Sequence, residues 1–463
     1  MKSCRLSRVL FAGMAFGLVL LLPTALLLSG CGGADAGAAP GPAGQTSAST
    51  PASSTTPASL SVPERLSVSE EGRADSAELV KGYNAFSLEL FQKVRKSDEN
   101  LVCSPYSAAT VLTMTMAGAR GQTQEEMKQA MRITLPYYRL NAAVNALEQD
   151  LADNGQFTSA NGLWAQTGRT IKQPFVDVAG HYYGASLDVY DMENDYAGLC
   201  KIVNDWVSER TNGMISDLMD PKDKPKVRYL LMMLVNAVHF KGEWAEPFWM
   251  WANPYPTPFH YLDGRTADVD MMINETEYRY VKNEDLQGVE LPFVGGMSAR
   301  FAMTILMPAE GRFEDYAASR TPVEFQADIA AMEQGKVHLT MPLFEIDSTP
   351  AVTQGLQALG MNTAFDMEGA DFTGIAEPIG GLPWFISHVE QKARIKVNEK
   401  GAEAAAATGV TAAAAGSTTT AKPPVKITID RPFVYLIRDV DSGAIIFIGQ
   451  VVAPQTAGAA SPK

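Results

Sequence analysis

Histidine is rare and carries no metal-binding pattern. His181, His239, His260, His338 and His388 are the five in 463 residues, and none falls in a His-Glu-x-x-His or similar spacing. A Gly-x-Ser-x-Gly nucleophile elbow and a phosphate-binding loop are also missing. Asp371 and Glu390 are scattered acids with no visible partner and read as surface or capping groups. These absences argue against an enzyme and imply no metal and no cofactor. Positive charge is short as well, with 38 Lys and Arg against 52 Asp and Glu, a net charge of −14. That balance disfavours nucleic acid and anionic membrane surfaces as partners. Beyond Leu28 no apolar run is long enough to span a bilayer.

What is present begins with a leader. Lys2, Arg5 and Arg8 precede an apolar run from Val9 to Leu28, the plan of a secretory signal. The run is also about long enough to span a membrane, so an uncleaved anchor is the alternative. Leu28-Ser29-Gly30-Cys31 resembles the lipobox of bacterial lipoproteins, which implies cleavage before Cys31 and a lipid on its sulfur. Loss of the three basic residues of the leader takes the net charge from −14 to −17. Two of the four cysteines, Cys103 and Cys200, then remain. In an exported protein they form either a disulfide or two isolated buried thiols, and their spacing does not decide.

From Gly32 to about Asp75 the chain is almost wholly Gly, Ala, Pro, Ser and Thr. Such composition cannot offset the entropy of ordering, so it reads as a flexible tether. The expected organisation is a signal over 1–30, a lipidated Cys and disordered tether over 31–76, one globular domain over 77–454, and a disordered tail over 455–463. No internal repeat is present.

Within the domain, Tyr83, Phe86, Leu90 and Val94 recur at helical spacing. Ser107–Ala117 is a second helical stretch. Thr123 opens a third, with Glu126 three residues on as a capping box. Lys201–Asn212 is helical again and closed by Gly213. The later chain turns to strands: Leu230–Phe240, Phe301–Met307 and Val337–Met341, then a hairpin of Phe433–Ile437 and Ala444–Gln450 about Asp441-Ser442-Gly443. Helices first and long strands later indicate an α+β domain with large mixed or antiparallel sheets.

The most informative stretch is Asn398-Glu399-Lys400-Gly401-Ala402-Glu403-Ala404-Ala405-Ala406-Ala407-Thr408-Gly409. It opens a segment of small side chains reaching to about Pro424, and a loop of that length inside a domain is usually functional or disordered. Other motifs accompany it in order. Asn100-Leu101-Val102-Cys103-Ser104-Pro105-Tyr106-Ser107 comes first, followed by Gly118-Ala119-Arg120-Gly121-Gln122-Thr123 and then Val203-Asn204-Asp205-Trp206-Val207. Next is Val235-Asn236-Ala237-Val238-His239-Phe240-Lys241-Gly242-Glu243-Trp244. Met341-Pro342-Leu343-Phe344, Ala370-Asp371-Phe372-Thr373-Gly374-Ile375 and Asp430-Arg431-Pro432-Phe433 complete the series. Together they resemble the serpins, inhibitors of serine proteases, over essentially the whole domain.

The resemblance implies three β-sheets, about eight or nine helices, and a metastable fold with an exposed reactive-centre loop at about 401–424. A serine protease that cuts this bait is acylated, the first part of the loop enters the main sheet as a new strand, and the protease is distorted. Read by phase, Ala402, Ala404, Ala406 and Thr408 would point into the core of such a strand, and all are small. Glu403 has the opposite phase and faces solvent. Lys400, Ala405 and Ala407 complete the hinge, and Gly401 supplies backbone freedom where the chain folds back. The alternative is a plain low-complexity Ala tract with high helix propensity. Gly409, Gly416 and the Thr cluster oppose a helix through the whole loop.

Counting from Glu399 as in the family places the cut between Ala415 and Gly416. The loop is longer than usual, so the window spans Ala412, Ala413, Ala414, Ser417 and Thr418, up to Thr420. Small residues throughout match an elastase-like pocket first and a subtilisin-like one second. By resemblance, Ser104, Ser107 and Asn236 form a polar cluster under the sheet, with Gln391 where the family has His. Trp244 and Glu399 sit where the loop enters. Leu343 replaces the Lys that often pairs with the residue at Glu399. Plainer readings are a satisfied buried Asn236 and a core Trp244. The implied protein is an exported monomer, lipid-anchored through Cys31 to the outer face of a bacterial membrane or cell surface. The alternatives are a non-inhibitory protein of the same fold, a simple protease substrate, and a surface hydrolase.

Overall fold

The computed structural model describes residues 58–153, 155–168, 170–213, 215–223, 231–249, 255–294, 300–378, 381, 383–402 and 423–455. The signal, Cys31, most of the tether, the tail, and loop positions 403–422 lie outside them. Those positions include Glu403, Ala404, Ala405, Ala406, Ala407 and Thr408, and the whole cleavage window around Ala415 and Gly416. Among the described residues no helix is long and apolar enough to cross a membrane.

Ordered structure starts earlier than composition implies. Ser69 accepts a hydrogen bond from the Gly72 amide and caps helix Glu70–Val94, whose first turn carries Glu70 and Glu71 against the positive helix end. Further upstream, Ala58–Ser59 pairs with strand Ser186–Tyr190. Part of the span expected as tether is therefore folded. Side chain-to-backbone bonds and strand pairing supply what that composition lacks in apolar burial.

Helix Pro105–Met116 is buried on every side, as a helix apolar all round must be. Helix Gly121–Ala130 begins before Thr123 and has no side-chain cap. The expected capping box is not formed, because both of its members bond across the fold. Glu126 accepts from the amides of Asn362 and Thr363, and Thr123 Oγ1 accepts from the Asp371 amide. A capping box does form at Thr321 and Glu324.

Nine helices are found among the described residues, with eighteen strands in three sheets. The α+β architecture expected from the sequence is the one observed. A nine-stranded sheet runs Val425–Thr428, Glu333–Pro342, Thr266–Lys282, Leu286–Pro292, Phe301–Pro308, Phe433–Asp439, Ile445–Val451, Leu101–Cys103, with Tyr255–His260 added beside Thr266–Lys282. The expected hairpin lies toward one edge of it, next to Leu101–Cys103. A five-stranded sheet runs Ala58–Ser59, Ser186–Tyr190, Phe157–Gln166, Met232–Phe240, His388–Glu390. A four-stranded sheet runs Phe344–Ser348, Ala393–Asn398, Gly401–Ala402, Gly242–Glu243. The last two are consecutive along two chain segments, Met232–Glu243 and His388–Asn398, and so form one main sheet. Cys103 and Cys200 are both free and buried, and burial pushes the Cys103 thiol up, so of the two alternatives the thiols are observed.

The nine-stranded sheet is tied together by a buried charge cluster. Glu290 accepts from Arg438 Nε at 2.9 Å, Arg279 Nη1 at 2.7 Å and Thr304 Oγ1 at 3.0 Å. Burial by itself would raise the Glu290 carboxyl, but Arg438 and then Arg279 outweigh it and hold it below the ordinary carboxylate range. With the folded value the lower one, the cluster stabilises at neutral pH and loses that contribution as pH falls through the folded value. Glu290→Ala, which leaves Arg438 buried without its partner, is expected to cost about 3–5 kcal/mol at neutral pH in urea unfolding. The gap to wild type should close on acidification below the carboxylate range; a gap independent of pH would remove Glu290 from this role.

Candidate functional site

Strand Met232–Phe240 pairs along its whole length with Phe157–Gln166 on one side. On its other side, among the described residues, the pairing lies at the two ends. At the lower end Met233, Leu234 and Val235 pair in parallel with His388, Val389 and Glu390. At the upper end Gly401 and Ala402 stand between the two segments, antiparallel both to Asn398 and Val397 and to Glu243 and Gly242. The register is the same at both ends: His388 faces Met233, and ten residues later Asn398 shares Gly401 as a partner with Glu243, ten residues after Met233. The two segments thus run in step with no bulge between them. A cavity along this seam is lined by Val238, His239 and Phe240 on one segment, Arg394 and Ile395 on the other, and Ala402 above.

The upper end is clamped by Trp244. Its ring stacks on Phe293 with centroids 4.6 Å apart and 12° between planes. Its Nε1–H donates to the Asn398 carbonyl at 2.8 Å and its amide to the Lys400 carbonyl at 2.8 Å. The Glu399 carbonyl accepts from the Phe248 amide at 3.0 Å. Asn398 Oδ1 accepts from the amides of Lys400 and Gly401, which turns the chain back on itself. Gly401 is required here by close approach, because a Cβ would run into the Gly242 carbonyl oxygen and the Glu243 Cα. Gly242 is pressed in turn against the Phe293 and Phe240 rings.

Beneath the seam lies a chain of buried polar groups. Gln391 grips the Ser104 backbone twice, accepting from its amide at 3.1 Å and donating to its carbonyl at 2.9 Å. Ser104 Oγ accepts from the Ser107 amide and donates to the Ile446 carbonyl. Ser107 Oγ donates to Asn236 Oδ1. Asn236 Nδ2 donates to Asn161 Oδ1 at 2.6 Å across the paired strands. Asn161 Nδ2 and Ser159 Oγ reach Glu148 Oε1 at 3.5 and 3.2 Å, and Arg65 Nη2 donates to Glu148 Oε2 at 2.9 Å.

A family model described as Serpin (serine protease inhibitor) matches residues 81–454. The chain belongs to the serpin family. An uncharacterized serpin-like protein of Thermococcus kodakarensis is 30% identical over 381 residues, covering 81% of this chain and 86% of that protein. Leukocyte elastase inhibitor A of Mus musculus is 28% identical, covering 81% of this chain and all of that one. The native structure of the thermophilic serpin tengpin superposes with a TM-score of 0.73 at 25% identity, covering 86% of this chain and 100% of that one.

In this serpin Ser104, Ser107, Asn236 and Gln391 come together under the seam, and Trp244, Glu399, Lys400, Gly401 and Ala402 at its upper end. Ala402 is 1% exposed, with the inward phase expected for it. Leu343 is half-buried against the core, its amide donating to the Asp270 carbonyl. Asp371 is a local cap for Thr373, whereas Glu390 does have a partner, His388 Nε2 at 2.6 Å. Asn161, Glu148 and Arg65 escape the sequence reading. Asn161 stands among Thr158, Ser159 and Gly162 and gives no local signal, and Arg65 sits in the span read as tether. Trp244→Ala removes both the stack and the indole N–H bond and is expected to cost about 3–5 kcal/mol. Trp244→Phe, which keeps a ring but loses the donor, should cost about 1 kcal/mol. Thermal unfolding of both variants checks this; equal losses would show that the stack contributes nothing.

Proposed function

We propose that this serpin is an exported suicide inhibitor of serine proteases with small-residue pockets, elastase-like first and subtilisin-like second. It works as a monomer held through a lipid on Cys31 at the outer face of a bacterial membrane or cell surface. The observation that carries the reading is the hinge: Gly401–Ala402 already lies in the main sheet as the first two residues of a strand that the seam can continue. Continuing that register would set Glu403 between Lys241 and Lys396, both exposed, and Ala404 between the buried Phe240 and Ile395. Thr408 would arrive between Asn236 and Gln391. Every inward position then meets a buried neighbour, and the one charge meets two cations in solvent.

The energetics favour entry. The seam joins parallel neighbours over a few residues, whereas a strand between them makes antiparallel pairs on both sides, the somewhat stronger arrangement. Each added backbone hydrogen bond contributes about 1 kcal/mol net. Attack of the protease serine on the Ala415 carbonyl releases Gly416 as the leaving amine and leaves an acyl ester. Strand entry then carries the ester-linked protease away from its working geometry before water can cleave the bond. The name of the mouse relative, leukocyte elastase inhibitor A, accords with the small residues of the bait.

Mixing the purified protein with an elastase should yield a denaturant-resistant adduct and a released carboxyl-terminal peptide whose mass identifies the bond. Clean cleavage with no adduct and no gain in thermal stability would favour a non-inhibitory protein of this fold, or a simple substrate. Ala402→Arg places a charge where the side chain is buried, a cost of several kcal/mol against about 1 for each bond gained. It is expected to be cut like a substrate with little or no adduct; undiminished adduct would rule out entry through this slot.

A further inference from the structure

We propose that Arg65 and Glu148 are positioning residues for Asn236, so that the amino-terminal segment before the first helix sets how readily the main sheet opens. The inference rests on the strand-entry reading above. The segment is fastened to the sheet edge at several points. Ala58–Ser59 adds a strand beside Ser186–Tyr190, and the amides of Leu60 and Leu66 donate to the carbonyls of Leu187 and His181. Pro63 fits against Gly180 so closely that a Cβ there would clash with it. Arg65 then reaches inward, donating to Asn145 Oδ1 at 2.8 Å, the Tyr182 carbonyl at 3.2 Å and Glu148 Oε2 at 2.9 Å.

Glu148 is 3% exposed, and a buried charge persists only when paired and hydrogen-bonded. Burial raises its carboxyl, and Arg65 is the foremost influence opposing that. As a carboxylate it can only accept. Together with the Tyr183 carbonyl, which accepts from Asn161 Nδ2 at 3.5 Å, it turns the Asn161 NH2 away from the sheet pair, which leaves Asn161 Oδ1 to accept from Asn236 Nδ2, and Asn236 Oδ1 to accept from Ser107. Each amide has one donor end and one acceptor end, so the orientation is passed along the chain from Arg65 to the seam. Without Arg65 a neutral Glu148 becomes a donor. Asn161 is then held in its orientation by the Tyr183 carbonyl alone and reverses more readily; on reversal Asn236 Nδ2 keeps on strand Phe157–Gln166 only its longer bond to Ser159 Oγ, at 3.4 Å. The grip across the sheet beside the opening loosens.

The test uses the full chain and a fluorescein-labelled peptide with the sequence of residues 403–414, whose uptake into the seam is read by native gel shift and needs no protease. Arg65→Ala and Glu148→Gln should each speed uptake about tenfold, the scale of one charge-assisted hydrogen bond. Arg73→Ala, which removes an exposed ion pair to Asp150, a neighbour of Glu148 on helix Tyr137–Ala152, should not. Adding Asn236→Ala to Arg65→Ala should give no more than Asn236→Ala alone, since both act through one group. Uptake at the wild-type rate in both variants, or independent effects of Arg65 and Asn236, overturns the proposal. Should Arg65→Ala fail to fold, the isosteric Glu148→Gln decides. Absence of any protease adduct in wild type would sink the inhibitory reading while leaving the uptake series to judge this one.

Discussion

Met232–Glu243 and His388–Asn398 are parallel neighbours that touch through three residue pairs at one end and share a two-residue strand at the other. Backbone N–H and C=O groups demand partners, and parallel pairing over so few residues satisfies few of them. Among the described residues the seam is thus a place where two long segments run side by side with little direct pairing between them. The Trp244 clamp, the glycine pair and the buried polar chain all adjoin this seam. On the proposed mechanism they act on one balance, between keeping the two segments close and admitting a third.

The nine-stranded sheet is built on the opposite plan. Its strands pair in long runs, such as the ten residue pairs between Glu333–Pro342 and Thr266–Lys282, and Glu290 with its two arginines locks its centre. Stability is thus unevenly spread, as it must be where one region moves and another serves as its frame. The Ile445–Val451 strand touches both plans, since Ile446 supplies the carbonyl that Ser104 binds and Phe447 lines the seam cavity.

How much of this was legible in the sequence depended on whether the signal was local. Helix Glu70–Val94 announced its buried face through Tyr83, Phe86, Leu90 and Val94, and the hairpin announced itself through Asp441-Ser442-Gly443. The inward phase expected for Ala402 came from alternation along the inserted strand that the family resemblance implies. Thr123 and Glu126 had the spacing of a cap, but both were claimed by residues more than two hundred positions away, which no window of sequence displays. The same holds for Arg65: its segment looked like tether because its bonds are made to the distant residues Asn145, Glu148 and Tyr182. The site residues Ser104, Ser107, Asn236 and Gln391 were named through family motifs. Their continuation to Asn161 and Glu148 needed the register of strands Phe157–Gln166 and Met232–Phe240.

The close approach of Gly401 to Gly242 bears on how such a protein can change over generations. A side chain on Gly401 would run into the Gly242 backbone and one on Gly242 into the Phe293 and Phe240 rings, so the entrance tolerates almost no variation. The proposed bait follows it in the sequence, as a run of small residues of varied type. If the chain inhibits as proposed, recognition and machinery are in this way separable: the choice of target can drift through the loop's later residues while the mechanism that acts on the target stays intact. A small change in sequence could then redirect the molecule without rebuilding it.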